Sequence, residues 1–182
     1  MKAMIFAAGR GDRMRPLTDL TPKPLLEAGG RRLIEWHLHR LADVGVRDVI
    51  INTAWLAEQF PAALGDGSRW GLRIVYSYEG ADALETGGGL LAARALLGED
   101  AFLLVNGDVW CDFDFRDLAI RPDALAHLVM VDRAAHLPHG DFELDSDGRL
   151  HPEGENRLTY AGIGMYRPAL LDRWQDCLGN SG

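Results

Sequence analysis

Met4-Ile5-Phe6-Ala7-Ala8-Gly9-Arg10-Gly11-Asp12-Arg13-Met14-Arg15-Pro16-Leu17-Thr18, closed by Pro22-Lys23-Pro24-Leu25, is the stretch on which the reading of this chain turns. Its first five residues form an apolar run and predict a buried strand, Met4–Ala8. The run breaks at Gly9 and Gly11, and cations follow at Arg13, Arg15 and Lys23. Glycine lets a backbone approach a ligand and turn its N–H groups toward it. Arginine and lysine add charge and directed donors for phosphate. The glycines alone would equally make a tight strand-to-helix turn with surface arginines; Arg13, Arg15 and Pro22-Lys23-Pro24 tip the balance toward a phosphate-holding loop. The string lacks the Gly-Lys-Ser/Thr ending of a P-loop. Met14 stands where a dinucleotide fingerprint needs its third glycine, which disfavours an oxidoreductase.

Working outward, Leu33–Val44 carries apolar residues at helical spacing and predicts a helix packed on one face, stopped by Gly45. Asp48–Asn52 is a β-branched run and predicts a second buried strand. Ala54–Leu64 reads as a helix that Pro61 should kink or end. Leu72–Tyr78 alternates and predicts a third strand, after a turn at Gly65-Asp66-Gly67-Ser68. A second glycine-rich loop, Glu79-Gly80 through Leu84-Glu85-Thr86-Gly87-Gly88-Gly89, leads into a helix over Leu90–Leu97, and Phe102–Asn106 is a further buried strand. Strand and helix alternate throughout, which predicts a doubly wound, mostly parallel α/β sheet in one domain spanning 1–182. Ligands in such sheets bind beyond the carboxyl ends of the strands. Gly9–Lys23, Glu79–Gly89 and Asn106–Trp110 all follow strand ends, so they should meet at one edge. Later come a short helix at Asp114–Ile120, a strand at Leu125–Val131 and a hairpin of Asp141–Leu144 with Arg149–His151. A strand at Thr159–Tyr166 and a helix at Ala169–Cys177 close the chain.

A formal charge of −8 argues against a nucleic-acid polymer as partner, because such binding draws on broad basic surfaces. With cations concentrated in the opening loop, a small phosphorylated ligand suits the chain better. No run approaches the roughly 18 apolar residues of a membrane span. The start, Met1-Lys2-Ala3-Met4-Ile5-Phe6, does not read as a secretory signal. Cys111 and Cys177 form no ligand-like cluster and suggest reduced thiols in a cytoplasmic protein. His37 reads as an ordinary helix residue; His127, His136, His139 and His151 are scattered, and Trp36, Trp55, Trp70 and Trp174 read as packing residues.

Asp108, just past a buried strand and after Asn106-Gly107, offers a hard oxygen that suits Mg²⁺. It would equally serve as a turn aspartate bonding locally. In the second glycine-rich loop, the backbone of Gly87 and Gly88 can border a nucleobase, while Glu79 or Thr86 offers polar contacts; alternatively Thr86 caps a helix.

The opening string resembles the signature of the sugar-1-phosphate nucleotidyltransferases, which join an NTP to a sugar 1-phosphate and release pyrophosphate. Leu84–Gly89, Leu103–Trp110 and Gly140-Asp141-Phe142 look like the branch that uridylylates N-acetylmuramate 1-phosphate in bacterial cell-wall recycling. The resemblance, which runs to about residue 170, implies a Rossmann-like core with a small hairpin extension on the sugar side, and Mg²⁺ as cofactor. It also implies site roles: Ala7, Ala8, Gly9, Gly11, Arg13, Arg15, Lys23, Glu79, Gly87 and Gly88 toward the nucleotide, Asn106 and Gly140 toward the sugar, and Asp108 toward the metal. Arg13, Lys23 and Asp108 would carry the chemistry. Rival readings are a mannose- or glucose-1-phosphate enzyme, or a nucleotide-sugar-binding module. Two departures stand out. Many relatives hold the sugar phosphate with a Glu-Lys-Pro lysine, whereas His151–Arg157 contains none, a feature that favours the muramate branch. The family's Trp-x-Asp-Val-Gly-Thr-like strand, with its second metal aspartate, has no counterpart in these residues. A weaker metal site and impaired catalysis are the corresponding expectation.

Overall fold

Residues 1–81, 83–135 and 138–172 are described in the computed structural model. The elements run β1 (Lys2–Phe6), β2 (Glu27–Ala28), β3 (Arg31–Arg32), α1 (Leu33–Asp43), β4 (Asp48–Thr53), α2 (Gln59–Leu64), β5 (Arg73–Tyr78), α3 (Glu85–Ala92) and α4 (Arg94–Leu97), then β6 (Phe102–Asn106), β7 (Ala126–Val131), β8 (Phe142–Leu144), β9 (Leu150–His151), β10 (Arg157–Tyr166) and α5 (Ala169–Asp172). The central sheet has the order β5-β4-β1-β6-β10-β8-β9, with β7 also pairing β10. β5, β4, β1 and β6 are mutually parallel, and β10 joins antiparallel. This is the doubly wound, mostly parallel sheet that the alternation of elements predicts. The hairpin β8–β9 is present. His136 and the last predicted helix beyond Asp172, with Trp174 and Cys177, lie outside the described residues.

Successive side chains of a strand point to opposite faces, so a strand covered on both sides reads as an unbroken apolar run. Ala3 and Ile5 of β1, Val49 and Ile51 of β4, and Leu103 and Val105 of β6 pack with Ile34, Leu38 and Leu41 of α1 and with Phe60 and Leu64 of α2. The alternate residues, Met4, Ile50, Phe102 and Leu104, pack on the other face with Leu90 of α3, Leu97 of α4 and Leu171 of α5. α1 ends as expected at Gly45 (φ +83°), whose N–H reaches Ala42 O at 3.0 Å while Val46 N–H reaches Leu41 O at 3.0 Å.

Three expected helices differ in extent: Asp114–Ile120 reduces to a 3-10 turn at Phe115–Asp117, and two others begin elsewhere. α2 starts at Gln59 instead of Ala54, because Leu56 takes a left-handed backbone (φ +49°) that a right-handed helix cannot run through; the Trp55 indole and the Gln59 amide bond the carbonyls of Thr18 and Leu20, each at 2.9 Å. Pro61 therefore falls in the first turn of α2, where a missing N–H breaks no bond, and it neither kinks nor ends the helix. α3 starts at Glu85 instead of Leu90, so Gly87, Gly88 and Gly89 are helical and the predicted glycine loop stops at Leu84.

Candidate active site

In the order β5-β4-β1-β6 the chain leaves β1 toward β4 and later returns to the opposite side of β1 as β6. That reversal opens a crevice between the segments following β1 and β6, the usual ligand position in such sheets. Phe6 is in register with Asn52 on one side and Asn106 on the other, so the three strands end level. The segments after β1, β5 and β6 thus share one edge, as expected.

The loop after β1 is held by its own backbone. Gly11 (φ +72°) adopts a left-handed conformation costly for other residues, and Met14 N–H and Thr18 Oγ1–H both donate to its carbonyl, at 2.9 and 3.0 Å. An added Cβ at Gly11 would lie 3.1 Å from both Lys23 Cβ and Thr18 Cγ2. At Gly9, by contrast, a Cβ would meet nothing within 4 Å. Packing within the chain gives no reason for glycine there; an approaching ligand would.

The three cations singled out in the sequence are not equivalent. Lys23 sits in a short 3-10 turn between Pro22 and Pro24, and its Nζ lies 2.7 Å from Asp108 Oδ2, with the two side chains 24% and 35% exposed. This contact spans the crevice. Arg15 is neutralised by Asp12 and Asp19, each at 3.3 Å, and Arg10 shares those carboxylates at 3.2 and 3.6 Å while lying over the Trp55 ring. Arg13 is exposed and, among the described residues, makes no ion pair or hydrogen bond.

Beyond β5 the arrangement departs from the expectation for Glu79. Both of its oxygens are engaged inside the protein: Oε1 accepts from Asn52 Nδ2 at 2.6 Å and Oε2 from Leu84 N–H at 2.8 Å. Asn52 Oδ1 in turn accepts from Ala7 N–H at 2.7 Å, so the Ala7 N–H is already taken. Ala7 and Ala8 are otherwise buried. Thr86 caps nothing; the residue at the start of α3 is Leu84. Gly88 and Gly89 are explained by crowding: a Cβ on Gly88 would lie 2.7 Å from Leu84 Cβ, and one on Gly89 would lie 2.5 Å from Glu79 Oε1 and 2.8 Å from Asn52 Nδ2.

On the β6 side, Asn106 abuts Gly162 of β10, where a Cβ would come 2.5 Å from Asn106 Nδ2. The β10–β7 register shifts between Tyr160 and Gly164, around this point. Gly140 is buried against the Arg157 carbonyl with no room for a side chain, and Asp141 anchors it by bonds to Leu158 O (2.7 Å) and Tyr160 N–H (2.8 Å). The guanidinium of Arg157 donates to the Pro152 carbonyl at 3.3 Å.

Beneath Asp108 lies a histidine that the sequence suggests is an ordinary helix residue. His37 of α1 is 1% exposed, and its Nε2 meets the Val109 carbonyl at 2.5 Å. Burial lowers its pKa below the ordinary imidazole value, and nearby Arg40 lowers it further, against the opposing pull of the Val109 carbonyl. The ring is therefore neutral near pH 7 and donates Nε2–H to Val109, leaving Nδ1 buried and unpartnered among the described residues. Three residues on, Arg40 donates to the carbonyls of Cys111 and Phe113. One face of α1 thus grips the segment that carries Asp108. The available signals were a histidine within the apolar stripe of Ile34, Leu38 and Leu41, and asparagines or glycines ending or interrupting otherwise apolar strands (Asn52, Gly162).

Asp108 is the carboxylate at this edge whose oxygens could take part in holding a metal ion. Among the described residues, no group of three or more His, Cys, Asp and Glu could hold an ion. A single carboxylate nonetheless fits Mg²⁺, which takes one or two protein oxygens and completes its shell with water and substrate phosphate. Asp114 caps the following 3-10 turn, accepting from Arg116 N–H at 3.0 Å. No helix among the described residues is long and apolar enough to cross a membrane.

Residues 2–166 match the model of the nucleotidyl transferase family. The chain is 52% identical to N-acetylmuramate alpha-1-phosphate uridylyltransferase of Neisseria meningitidis serogroup B, over 94% of this chain and 78% of that protein. It is 36% identical to the protein of the same name in Caulobacter vibrioides, over 92% of this chain and 76% of that one. Among solved structures, HddC of Yersinia pseudotuberculosis complexed with GMP-PN superposes with a TM-score of 0.76 at 19% identity, covering 94% of this chain and 78% of the other. At that identity it speaks for the fold alone.

Proposed function

Because this chain belongs to the nucleotidyl transferase family, we propose that it transfers the uridylyl group of UTP to N-acetylmuramate 1-phosphate. A phosphate oxygen of the sugar 1-phosphate attacks the α-phosphorus of UTP in line. The new P–O bond forms as the bond from the α-phosphorus to the bridging oxygen breaks, and pyrophosphate leaves with the electron pair. No protein nucleophile is needed, so catalysis rests on positioning and charge neutralisation. The 52% identity to the Neisseria uridylyltransferase supports the choice of base and sugar.

The observation that carries the reading is the 2.7 Å contact between Lys23 and Asp108 across the crevice between the β1 and β6 segments. It puts a cation and a hard-oxygen donor at the two lips of a site where a triphosphate can lie. Lys23 and Arg13 neutralise phosphate oxygens, and the backbone of Gly9–Gly11 borders them. Arg15 acts one step back, by keeping Asp12 and Asp19 engaged. The helical backbone at Gly87 and Gly88 faces the base, while Asn106 and Gly140 serve the sugar side. Asp108 would hold Mg²⁺, which when bound supplies positive charge against the phosphate oxygens. The chain would work in the cytoplasm, consistent with the free thiol of Cys111, after a reaction that delivers a sugar 1-phosphate from cell-wall material.

The test is a pyrophosphate-release assay with purified chain, Mg²⁺ and a panel of NTPs and sugar 1-phosphates. Turnover should be greatest with UTP and N-acetylmuramate 1-phosphate. Preference for GTP with mannose 1-phosphate, or for glucose 1-phosphate, would reassign the substrate. UTP binding without any pyrophosphate would reduce the chain to a binding module.

A further inference from the structure

Asp108 sits between two anchored peptides, one residue on either side, and different parts of the fold anchor them. Upstream, Gly107 N–H donates to Phe6 O at 2.8 Å, so the chain leaves β6 still bonded to β1. The approach there is close: a Cβ on Gly107 would lie 2.9 Å from Phe6 O and 3.0 Å from Ile5 Cγ2. Downstream, Val109 N–H closes a turn onto Asn106 O at 3.2 Å, and the Val109 carbonyl accepts from His37 Nε2–H at 2.5 Å. Arg40 continues the hold by donating to the carbonyls of Cys111 and Phe113. His37 and Arg40 lie three residues apart and so share one face of α1. Ile34, Leu38 and Leu41 of the same helix are buried against β1, β4 and β6, which ties the helix to the strands that end at the crevice.

We infer that His37, supported by Arg40, is a positioning residue that acts through the Val109 peptide to hold the Asp108 carboxylate opposite Lys23, and thereby sets how tightly Mg²⁺ binds together with UTP. This rests on the metal role proposed for Asp108. His37 is 1% exposed, so it reaches the site only through the backbone it holds. The Asp108 side chain is 35% exposed, so packing around the carboxylate does not fix it; the peptides on either side do. Among the described residues no cluster of three or more His, Cys, Asp and Glu backs Asp108 up. A metal that draws on so few protein oxygens depends on how well each is held, and partners behind a ligand change metal affinity about 10–100-fold. His37→Leu keeps the apolar packing of α1 and removes the donor to Val109 O. His37→Gln offers an amide N–H in place of the Nε2–H. Arg40→Met keeps the aliphatic stem and removes the donors to Cys111 O and Phe113 O.

The experiment measures UTP affinity by calorimetry in Mg²⁺ and again in EDTA, with no sugar phosphate present so that nothing turns over. The readout is the ratio of the two affinities in wild type, His37→Leu, His37→Gln, Arg40→Met and Asp108→Ala, with melting temperatures to establish that each is folded during the titration. His37→Leu should lower the ratio about tenfold and Arg40→Met about threefold, while affinity in EDTA stays within about twofold of wild type. His37→Gln should keep the ratio within about twofold of wild type. Should His37→Leu fail to fold, Arg40→Met decides by the same readout. A wild-type ratio in the folded variants, with only the melting temperatures lowered, would leave the two residues a purely structural role and overturn the inference. Equal losses with and without Mg²⁺ would overturn it too, because the whole crevice would then have shifted. So would a His37→Gln ratio as low as that of His37→Leu, since the bond to Val109 would not be what matters. If Asp108→Ala itself leaves the ratio unchanged, the metal role in the proposed function fails first, and this inference with it.

Discussion

Two glycine-rich segments border the same sheet edge, and they use glycine for opposite reasons. In the loop after β1, Gly11 is needed for its left-handed backbone, and Gly9 has no internal reason to be glycine at all. In α3, Gly88 and Gly89 are helical and carry no unusual backbone demand; what matters is the missing Cβ, which leaves room for Leu84 and for the Asn52–Glu79 bridge. In the first segment Gly11 answers a backbone demand, while Gly9 faces space that no group of the chain fills. The second is shaped by what lies beneath it. A run of glycines therefore marks a close approach without saying whether the approaching group is a ligand or the protein's own side chain.

The largest effect that would test this contrast lies at the cations of the first segment. Lys23→Ala and Arg13→Ala should each slow pyrophosphate release by about 10²–10³-fold while far-UV circular dichroism stays native. Full rates in folded variants would remove the loop from the chemistry. Next comes Gly89→Ala, whose Cβ has nowhere to go: a loss of about 1–3 kcal/mol of stability is expected in urea unfolding, together with weaker UTP binding. Gly11→Ala should lose about 1–2 kcal/mol from its left-handed backbone. Gly9→Ala should change stability by less than about 0.5 kcal/mol yet weaken UTP binding. If it binds UTP as wild type does, the loop's glycine is idle and the contrast collapses.

The smallest effect concerns the segment carrying Asp108, which side chains of α1 hold in place. His37 takes up a proton less readily in the folded chain than its ordinary value of 6.5. Between that value and the lowered one, the unfolded chain holds the proton and the folded chain does not. Stability from this group is thus intact above pH 6.5 and declines as the pH falls below it, until the folded value is reached. His37→Gln removes that slope, so the gap in melting temperature between wild type and variant should narrow on acidification. Calorimetry at stepped pH measures it; a constant gap would mean that His37 titrates normally.

What the amino-acid sequence determined by itself was whatever depends on neighbours along the chain. The apolar runs of β1, β4 and β6 announce strands buried on both faces, their alternation with helices announces a parallel sheet, and a parallel sheet sends every strand end to one edge. Gly9–Lys23 and Asp108 come together on that ground alone, because each follows a strand pointing the same way. The resemblance of the opening string to nucleotidyltransferases pointed to the family that residues 2–166 match. Tertiary structure alone decided how individual side chains are spent. Nothing local to Glu79 says that Asn52, 27 residues earlier, will claim its carboxylate, nor that His37 will reach Val109 across 72 residues. Nothing in the order of Arg13, Arg15 and Lys23 says that only Arg13 stays without a partner among the described residues. Periodicity and turn chemistry are local and show in a string of letters. Hydrogen-bond partners and room for a Cβ depend on which strands become neighbours, and only the folded sheet settles that.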